Sequence, residues 1–246
     1  MNALTEQLSK VLKESDNIVF FGGAGVSTAS NIPDFRSANG LFNQKLHRTL
    51  SPEEMVSRTF YERFPEDFFA FYRDKLVYPE AQPNDCHKAL AKLEAMGKLR
   101  AVVTQNIDGL HQKAGSKVVH ELHGSVLRNY CTRCHKFYGV DAILNADGVP
   151  RCECGGIIKP DVVLYEESLD DEVINKAVTA IAGADVLIIG GTSLIVYPAA
   201  GLIQYYRGNK LVLINKSVTQ ADREASLVIH DDIATVMREA VDALEA

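Results

Sequence analysis

Residues 20–42, FFGGAGVSTASNIPDFRSANGLF, contain the most informative motif of the sequence. An apolar, β-type run ends in Gly23-Ala24-Gly25, as a strand does where it leads into a phosphate-binding turn. The usual fingerprint has a third glycine, but Thr28 stands at that position here. The helix that should follow is interrupted at Pro33, and an acid, an aromatic residue and an arginine come directly after it. The pattern therefore predicts a nucleotide site that differs from a dehydrogenase site.

Short apolar runs like the one before Gly23 recur along the chain and alternate with helical patterns such as residues 87–96 and 171–182. The runs cover residues 18–21, 99–103, 118–122, 162–164, 186–189, 211–214 and 227–229. Alternating strands and helices predict an α/β fold, a Rossmann-like, doubly wound parallel sheet. Ligands of such folds bind at the carboxyl ends of the strands, and distinctive glycine and polar residues follow the runs at 23, 105–106, 123, 191–193 and 215.

Two segments interrupt the alternation and predict two inserts. Residues 37–84 carry phenylalanine and tyrosine at helical spacing, which favours a helical insert with a small aromatic core of its own over a ligand-binding box. Residues 126–158 hold four of the five cysteines and predict a small metal-binding module. The remaining segments, 1–36, 85–125 and 159–246, then form the Rossmann-like domain.

The four clustered cysteines are spaced as zinc ligands. Cys131 and Cys134 form one close pair, and Cys152 and Cys154 form another after 17 intervening residues. Each short turn can direct two sulfurs at one ion, and four thiolates leave no open position for water, so the pattern predicts one structural Zn²⁺. Two disulfides are the competing interpretation, which a reducing compartment disfavours. A redox pair would need a thioredoxin-like context, and Cys86 remains as a buried thiol without a partner.

Composition excludes some classes of protein. The 246 residues carry a net charge of −6 and no long basic run, which is against duplex nucleic-acid binding. The N-terminal 17 residues read as an amphipathic helix with Leu4, Leu8 and Leu12 on one face, and not as a secretion signal. Residues 186–203 lack charge over 18 positions, but glycines and Pro198 favour a buried strand, a turn and a helix start over a membrane span. A cytoplasmic protein is predicted; the oligomeric state is not, and a monomer is compatible with the sequence.

Polar residues follow the strand at 99–103 in the order Thr104-Gln105-Asn106-Ile107-Asp108. Two amides and a carboxylate at a strand end form a hydrogen-bonding wall suited to a ligand with an amide of its own. The competing interpretation is a helix N-terminus in which Asp108 is a first-turn acid, which would explain one or two of the three.

Two histidines lie at the end of the next apolar run, in Val119-His120-Glu121-Leu122-His123-Gly124. Their separation of three residues does not fit the HExxH motif of zinc proteases. On a strand the two side chains face opposite sides, so one of them at most enters a given cleft. His123, next to the glycine at which the chain can turn, is the candidate for catalysis.

Taken together, these motifs resemble the sirtuin family of NAD-dependent protein lysine deacylases, of bacterial type. The segments that carry the resemblance are GAGVSTASNIPDFR, TQNIDGLHQKAG, ELHG, the four cysteines, KPDVVLYEE, GTSLIVYPAA and LINK with the later HDD, in the family's order and across nearly the whole chain. The resemblance implies that NAD is a co-substrate and that acyl-lysine proteins or peptides are the substrates.

The resemblance also implies roles for individual residues. Asp34-Phe35-Arg36 would belong to a mobile loop over the nicotinamide ribose, and His123, Asn106 and Asp108 would be the catalytic residues. The other implied NAD contacts are Gly23, Ala24, Gly25, Thr28, Gln105, Ile107, Gly191, Thr192, Ser193, Asn215, Lys216, Asp232 and Ile233. The substrate peptide would insert as a strand between two segments, Val163-Leu164-Tyr165 and Ile195-Val196-Tyr197, with Val163 beside the acyl-lysine.

The implied reaction transfers the acyl group to ADP-ribose. The acyl-lysine carbonyl oxygen attacks the anomeric carbon as nicotinamide leaves, and His123 acts as general base on a ribose hydroxyl. Two departures from the family pattern stand out: Glu166 replaces a common glycine, and Lys75 replaces the arginine of relatives that prefer acidic acyl groups. Acetyl or a longer neutral acyl group is therefore expected.

Two other enzyme classes remain as alternatives. Protein mono-ADP-ribosyl transfer shares the first chemical step with deacylation. An NAD-dependent dehydrogenase is disfavoured by the missing third glycine and by the lack of an acidic residue at the end of a second strand about 20 residues further on.

Overall fold

The computed structural model describes residues 2–34 and 50–245. Phe35 and Arg36, which the sequence assigns to a cofactor loop, lie outside the described residues. The strands are β1 (Ile18–Gly22), β2 (Leu99–Thr104), β3 (Val119–Glu121), β4 (Gly124–Cys131), β5 (Phe137–Tyr138), β6 (Ile158–Val162), β7 (Val186–Gly190), β8 (Lys210–Ile214) and β9 (Leu227–Ile229). The helices are α1 (Ala3–Lys13), α2 (Pro52–Met55), α3 (Arg58–Arg63), α4 (Pro65–Lys75), α5 (Asp85–Ala95), α6 (Leu110–Ala114), α7 (Asp141–Leu144), α8 (Asp171–Gly183) and α9 (Ile233–Asp242).

Six strands form the predicted parallel sheet, in the order β3-β2-β1-β7-β8-β9. All five residues of β1 and all five of β7 are buried, as expected for central strands covered on both faces. The chain leaves β1 toward β2 on one side and returns to β7 on the other side. The carboxyl ends of β1 and β7 therefore flank the point at which the strand order reverses, where doubly wound folds bind their ligands.

Helices cover both faces of this sheet. One face packs α1, α5 and α9 through side chains such as Leu12, Leu90 and Met237, and the other face packs α8 through Ile181 and Ala177. The predicted apolar face of α1 is confirmed for Leu8 and Leu12, which are fully buried. It is wrong for Leu4, which is 41% exposed, because the first turn of α1 extends beyond the edge of the core.

A second, antiparallel sheet has the order β5-β4-β6. The apolar run at 162–164, which the sequence places among the parallel strands, instead begins with the last residue of β6. Buried and partly exposed residues alternate along β6, as they do in a strand with one covered face. A short apolar run reads the same in either kind of sheet, so the sequence alone could not assign it.

The aromatic residues of the helical insert form a core, as predicted, but the insert shares this core with the cysteine module. Phe68, Phe69 and Tyr72 are fully buried in one cluster with Cys131 and Ile143. Arg73 on α4 adds polar contacts by donating to the backbone carbonyls of Ile143, at 2.7 Å, and of Gly148. The proposed division into a Rossmann-like domain and two inserts remains a prediction, and β4 and β6 cross its boundaries at 125 and 159.

Within residues 2–34 and 50–245, none of the helices has both the length and the apolar composition that crossing a bilayer requires. The uncharged stretch at 186–203 consists of β7, a turn and the start of a 3₁₀ helix at Ala199, as the sequence predicts.

Candidate active site at the strand ends

Two glycine turns meet where β1 and β7 end. The amide of Gly25 donates to the carbonyl of Gly191 at 2.8 Å, and Gly23 donates to Gly190 at 3.2 Å. A Cβ atom on Gly25 would lie 2.8 Å from the Cα of Gly191, so only glycine allows the two backbones to come this close. Instead of the expected helix start, two 3₁₀ turns follow, Ala24–Val26 and Thr28–Ser30, with Thr28 donating to the Gly25 carbonyl at 3.0 Å.

The amides predicted after β2 do line the same crevice. Gln105 Nε2 donates to Thr192 Oγ1 at 3.0 Å, which joins the end of β2 to the turn after β7 across β1. Asn106 Nδ2 donates to Ser27 Oγ at 3.1 Å, and Ser27 Oγ in turn donates to Asp108 Oδ2 at 2.6 Å. Ser27 therefore bridges the two residues for which the sequence predicts catalytic roles.

Asp108 is both part of the polar wall and an acid at a helix N-terminus, the two interpretations that the sequence left open. Its Oδ1 accepts a hydrogen bond from the backbone amide of Leu110 at 2.9 Å, at the start of α6, while Oδ2 faces Ser27. Burial raises the pKa of this carboxyl above its usual range, although both hydrogen bonds oppose the shift. The side chain is thus held in one orientation at the wall of the crevice.

The two ring nitrogens of His123 have different surroundings. Nδ1 lies 2.9 Å from the carbonyl oxygen of Gln105, so Nδ1 carries the proton and Nε2 of the neutral ring is left with a lone pair. Burial lowers the pKa of His123, and the hydrogen bond to Gln105 offsets part of that effect. At neutral pH the imidazole is therefore an uncharged base. His120 lies near Lys176 in a different pocket, so only one of the two histidines lines this crevice.

A partly open cavity of about 230 Å³ lies next to this crevice. It brings together many of the residues that the sequence assigns to cofactor, catalysis and substrate: Ala24, Gln105, Asn106, Ile107, Asp108, His123, Val163, Leu164, Tyr165, Val196 and Tyr197. Gly23, Gly25, Thr28, Asp34, Gly191, Thr192, Ser193, Ile195, Asn215, Lys216, Asp232 and Ile233 lie outside its lining. Lys75, from which the sequence predicts the preferred acyl group, lines it as well. Ser27 and Tyr78, to which sequence reasoning gave no role, are also part of the lining.

Arg128 on β4 forms ion pairs with β3 and with β6, close to this cavity. Its Nη1 lies 2.6 Å from Oε2 of Glu121 on β3, and its Nε lies 2.8 Å from Oδ2 of Asp161 on β6. Between these contacts the amide of Val163 donates to the carbonyl of His123 at 3.0 Å. The ion pairs and this backbone bond hold the histidine and the segment after β6 in a common frame.

The segment after β6 is held from both ends. The Arg58 amide donates to the Tyr165 carbonyl at 3.0 Å, and Oε2 of Glu167 accepts from the Leu164 amide at 2.9 Å. Glu166, which replaces the family's glycine, has a positive φ of 75° that favours glycine. Its Oε2 accepts two hydrogen bonds from Thr59, at 2.9 Å from the amide and 2.7 Å from the hydroxyl, and these bonds offset the backbone strain.

Four of the implied NAD contacts follow β8 or β9: Asn215, Lys216, Asp232 and Ile233. Asn215 follows β8, and Lys216 forms an ion pair with Asp232 at 3.1 Å. Asp232 also caps α9 by accepting from the Thr235 amide at 3.1 Å. Ile233 is buried in the core beneath Gly190, so the structure gives it a packing role.

The four predicted cysteine ligands converge on one point. Their sulfur atoms all lie within 4.8 Å of one another, with 3.4 Å between those of Cys131 and Cys154. Four thiolates about 2.3 Å from a tetrahedral zinc are about 3.8 Å apart, so the cluster could hold one such ion. Tyr138 donates a hydrogen bond to Sγ of Cys152 and lowers the pKa of this thiol to about 6, which favours the thiolate. A Cβ atom on Gly156 would lie 2.6 Å from Cys131 Sγ, so glycine is required in the second turn.

The sheet, the glycine crevice, the histidine beside a cavity and the four cysteines define a Rossmann-like nucleotide-binding protein with a cluster that could hold one metal ion. A family model described as the Sir2 family matches residues 23–198. The chain belongs to the Sir2 family, which confirms the resemblance to sirtuins.

Individual relatives agree with this assignment. The chain is 66% identical over 244 residues to an NAD-dependent protein deacetylase of Clostridium perfringens (strain 13 / Type A), covering 98% of this chain and 100% of the relative. It is 59% identical to the protein of the same description from Clostridium tetani (strain Massachusetts / E88), covering 97% and 98%. A solved structure described as Sir2–p53 peptide–NAD⁺ has a TM-score of 0.85 and 39% identity, covering 99% of this chain and 98% of that chain.

Proposed function

We propose that this protein is an NAD-dependent protein lysine deacetylase that releases nicotinamide, O-acetyl-ADP-ribose and free lysine. The observation that carries the proposal is the orientation of His123. Its Nδ1 is hydrogen-bonded to the carbonyl oxygen of Gln105, and the residue lines the same cavity as Asn106 and Asp108. The relatives of this protein are described as NAD-dependent protein deacetylases. A solved Sir2 structure contains a deacetylated p53 peptide and 3'-O-acetyl ADP ribose. That structure is 38% identical to this chain, with a TM-score of 0.88.

Each wall of the cavity has a task in this reaction. Asn106 and Asp108 are placed to orient the nicotinamide amide, with Ser27 holding both. His123 Nε2 accepts a proton from a ribose hydroxyl, which turns that oxygen into a nucleophile. The glycine crevice at the ends of β1 and β7 is the proposed site for the NAD phosphates. Leu164 is buried, whereas the other residues of the segments 163–165 and 195–197 are exposed or half-buried. A peptide that enters as a strand between the two segments would place its acyl-lysine beside Val163.

The function is tested by incubating the protein with an acetyl-lysine peptide and NAD that is radiolabelled in its adenosine half. We expect nicotinamide release, loss of one acetyl group from the peptide, and label on a small molecule. Label on protein instead would indicate mono-ADP-ribosyl transfer. An unchanged peptide with a protein of intact fold would contradict the proposal.

The four cysteines are proposed to hold a structural Zn²⁺. The cluster supplies four sulfur ligands, so the metal would have no open position for substrate. The reaction chemistry is therefore assigned to the cavity residues, while the metal would stabilise the module against which the helical insert packs.

Replacing Ser27 by alanine tests the bridge between Asn106 and Asp108. The change leaves Asp108 Oδ2 and Asn106 Nδ2 without their shared partner, and kcat/KM for NAD should fall about 10-fold to 100-fold, as a loss of one orienting hydrogen bond to a charged group allows. Ser30→Ala is the matched control. Ser30 lies in the next 3₁₀ turn, its Oγ accepts a hydrogen bond from Asn84 Nδ2, and it does not line the cavity. Equal losses in the two variants would contradict a role in orientation.

The pH profile tests the protonation state of His123. A general base works when neutral, so activity should be lost as pH falls through the pKa of His123. Burial places this pKa below the usual 6.5, so the acid limb of kcat/KM should have its midpoint below that value. An acid limb centred above pH 6.5 would exclude the buried, neutral imidazole as the base.

A further inference from the structure

Glu166 adopts a backbone conformation that a side chain disfavours, at a position where the family pattern has glycine. Its φ of 75° lies in the left-handed region, which glycine enters freely and other residues enter at a cost in free energy. The residue lines the cavity next to Tyr165, in the wall at which the peptide is proposed to bind. Glycine would accept this backbone without strain, so the carboxylate is what the chain gains from glutamate at this position.

The Glu166 carboxylate is bonded to the helical insert. Its Oε2 accepts hydrogen bonds from the amide of Thr59 at 2.9 Å and from the Thr59 hydroxyl at 2.7 Å. Thr59 lies in the first turn of α3, 107 residues away along the chain. The hydrogen bonds from Thr59 lower the pKa of the Glu166 carboxyl, so the group is an ionised and strong acceptor at neutral pH. A side chain of the cavity wall is thus tied to the insert.

Two backbone hydrogen bonds also attach this wall to the insert, and both are formed by Tyr165. The Tyr165 amide donates to the Val56 carbonyl at 3.1 Å, and the Tyr165 carbonyl accepts from the Arg58 amide at 3.0 Å. Two bonds at one residue fix where the segment 163–165 lies but constrain its direction only weakly. The Glu166 carboxylate adds an attachment one residue further along, so the wall is held to the insert at two consecutive residues.

The next residue, Glu167, stabilises the segment in a different way. Its Oε2 accepts from the Leu164 amide at 2.9 Å and lies 3.2 Å from Nζ of Lys159 on β6. These contacts act between β6 and the turn that follows it, and therefore fix the internal shape of the segment. The two adjacent glutamates thus have separate tasks, and the bonds to α3 belong to Glu166.

We infer that Glu166 is a positioning residue for the acyl-peptide, because its bonds to Thr59 hold the segment 163–165 against the helical insert in the orientation that receives the substrate strand. The inference rests on the proposed function, in which the peptide enters between this segment and residues 195–197. Without the tie the segment spends part of its time in other orientations, and the apparent affinity for the peptide falls with the fraction of competent protein. The implied NAD contacts include neither Glu166 nor Thr59, so the affinity for NAD is independent of the tie.

The test replaces Glu166 by glycine, which adopts a φ of 75° without strain, so the Glu166→Gly variant should keep its fold. We expect KM for an acetyl-lysine peptide to rise about threefold to tenfold, the effect of one or two hydrogen bonds of ordinary net strength. The kcat at saturating peptide and NAD, and the Kd of ADP-ribose, should stay within about twofold of the wild-type values, as when an interaction contributes to substrate binding alone. Steady-state kinetics and calorimetry measure these quantities.

Three further variants separate the tie from other effects. In Glu166→Gln the amide oxygen can still accept from both groups of Thr59, so most of the wild-type KM should be recovered. Thr59→Val removes the hydroxyl donor, and it should raise KM in the wild-type background but add nothing to Glu166→Gly. Glu62→Ala is the matched control, because Glu62 lies on α3, forms an ion pair with Arg58 and does not line the cavity. Its KM should equal that of the wild type.

A wild-type KM in Glu166→Gly, or an equal loss of peptide and ADP-ribose binding, would overturn the inference and leave the proposed function intact. The inference would also be overturned if Glu62→Ala raised KM as much as Glu166→Gly does, or if Glu166→Gln recovered nothing. A wild-type protein that binds ADP-ribose but does not deacetylate the peptide would instead overturn the proposed function.

Discussion

Replacing His123 by alanine should lower kcat about 10²-fold to 10⁴-fold, the contribution of a positioned general base. The ring accepts its proton at Nε2 because Nδ1 is bonded to the Gln105 carbonyl, and alanine supplies no base in that position. Binding of NAD should change much less, since the glycine crevice and the Asn106–Ser27–Asp108 network do not depend on the imidazole. Steady-state kinetics with an acetyl-lysine peptide, together with calorimetric NAD binding, measure the two effects separately.

His120→Ala is the matched control for this variant. His120 lies on β3, which ends two residues before His123, and its side chain lines a different pocket together with Lys176. Removing it should leave kcat within about twofold, the range of a surface change remote from the site. A loss in His120→Ala as large as that in His123→Ala would show that strand disruption, and not catalysis, explains both.

Replacing Cys131 by alanine should abolish stoichiometric zinc binding and unfold the cysteine module together with the helical insert. Structural zinc supplies about 10–16 kcal/mol of apparent binding free energy, which is as large as the stability of a whole domain. Cys131 belongs to the same buried cluster as Phe68 and Tyr72, so the loss reaches the insert as well. The insert is tied to Tyr165 by backbone hydrogen bonds, so deacetylation should fall below about 1% of the wild-type rate even though the metal takes no part in chemistry.

Metal content by atomic emission and limited proteolysis of the insert measure this prediction. Cys86→Ala is the control, because Cys86 is a fully buried thiol outside the four-cysteine cluster and lies in the core under α5. It should retain one zinc per chain and most of the activity. A Cys131→Ala protein that lacks zinc but resists proteolysis and deacetylates normally would contradict a structural role for the metal.

The sequence predicted the fold through signals that are local. Apolar runs, glycine turns and helical spacing each extend over a short stretch of consecutive residues, and six of the seven runs became strands of the parallel sheet. The run at 162–164 was misassigned because burial on one face and burial on both faces leave the same short pattern. The shared core of the insert and the cysteine module could not be predicted either, since two apolar surfaces carry no mark that they are partners.

The candidate site shows the same division. Motifs and the resemblance identified Gln105, Asn106, Asp108 and His123, and the cavity contains all of them. Ser27 went unassigned although it stands in the quoted loop, because its partner Asp108 is 81 residues away and serine in a turn has many local roles. The ion pairs of Arg128 depend on contacts between distant segments in the same way.

The α/β class, the membership in an enzyme family and the four clustered cysteines can be read from the sequence alone, because each is encoded in residue types at short, fixed spacings. The nitrogen of His123 that is not bonded to Gln105 and the oxygen of Asp108 that meets Ser27 are known only from the folded structure. Hydrogen bonds act over about 3 Å, and a chain brings residues within that distance only by folding.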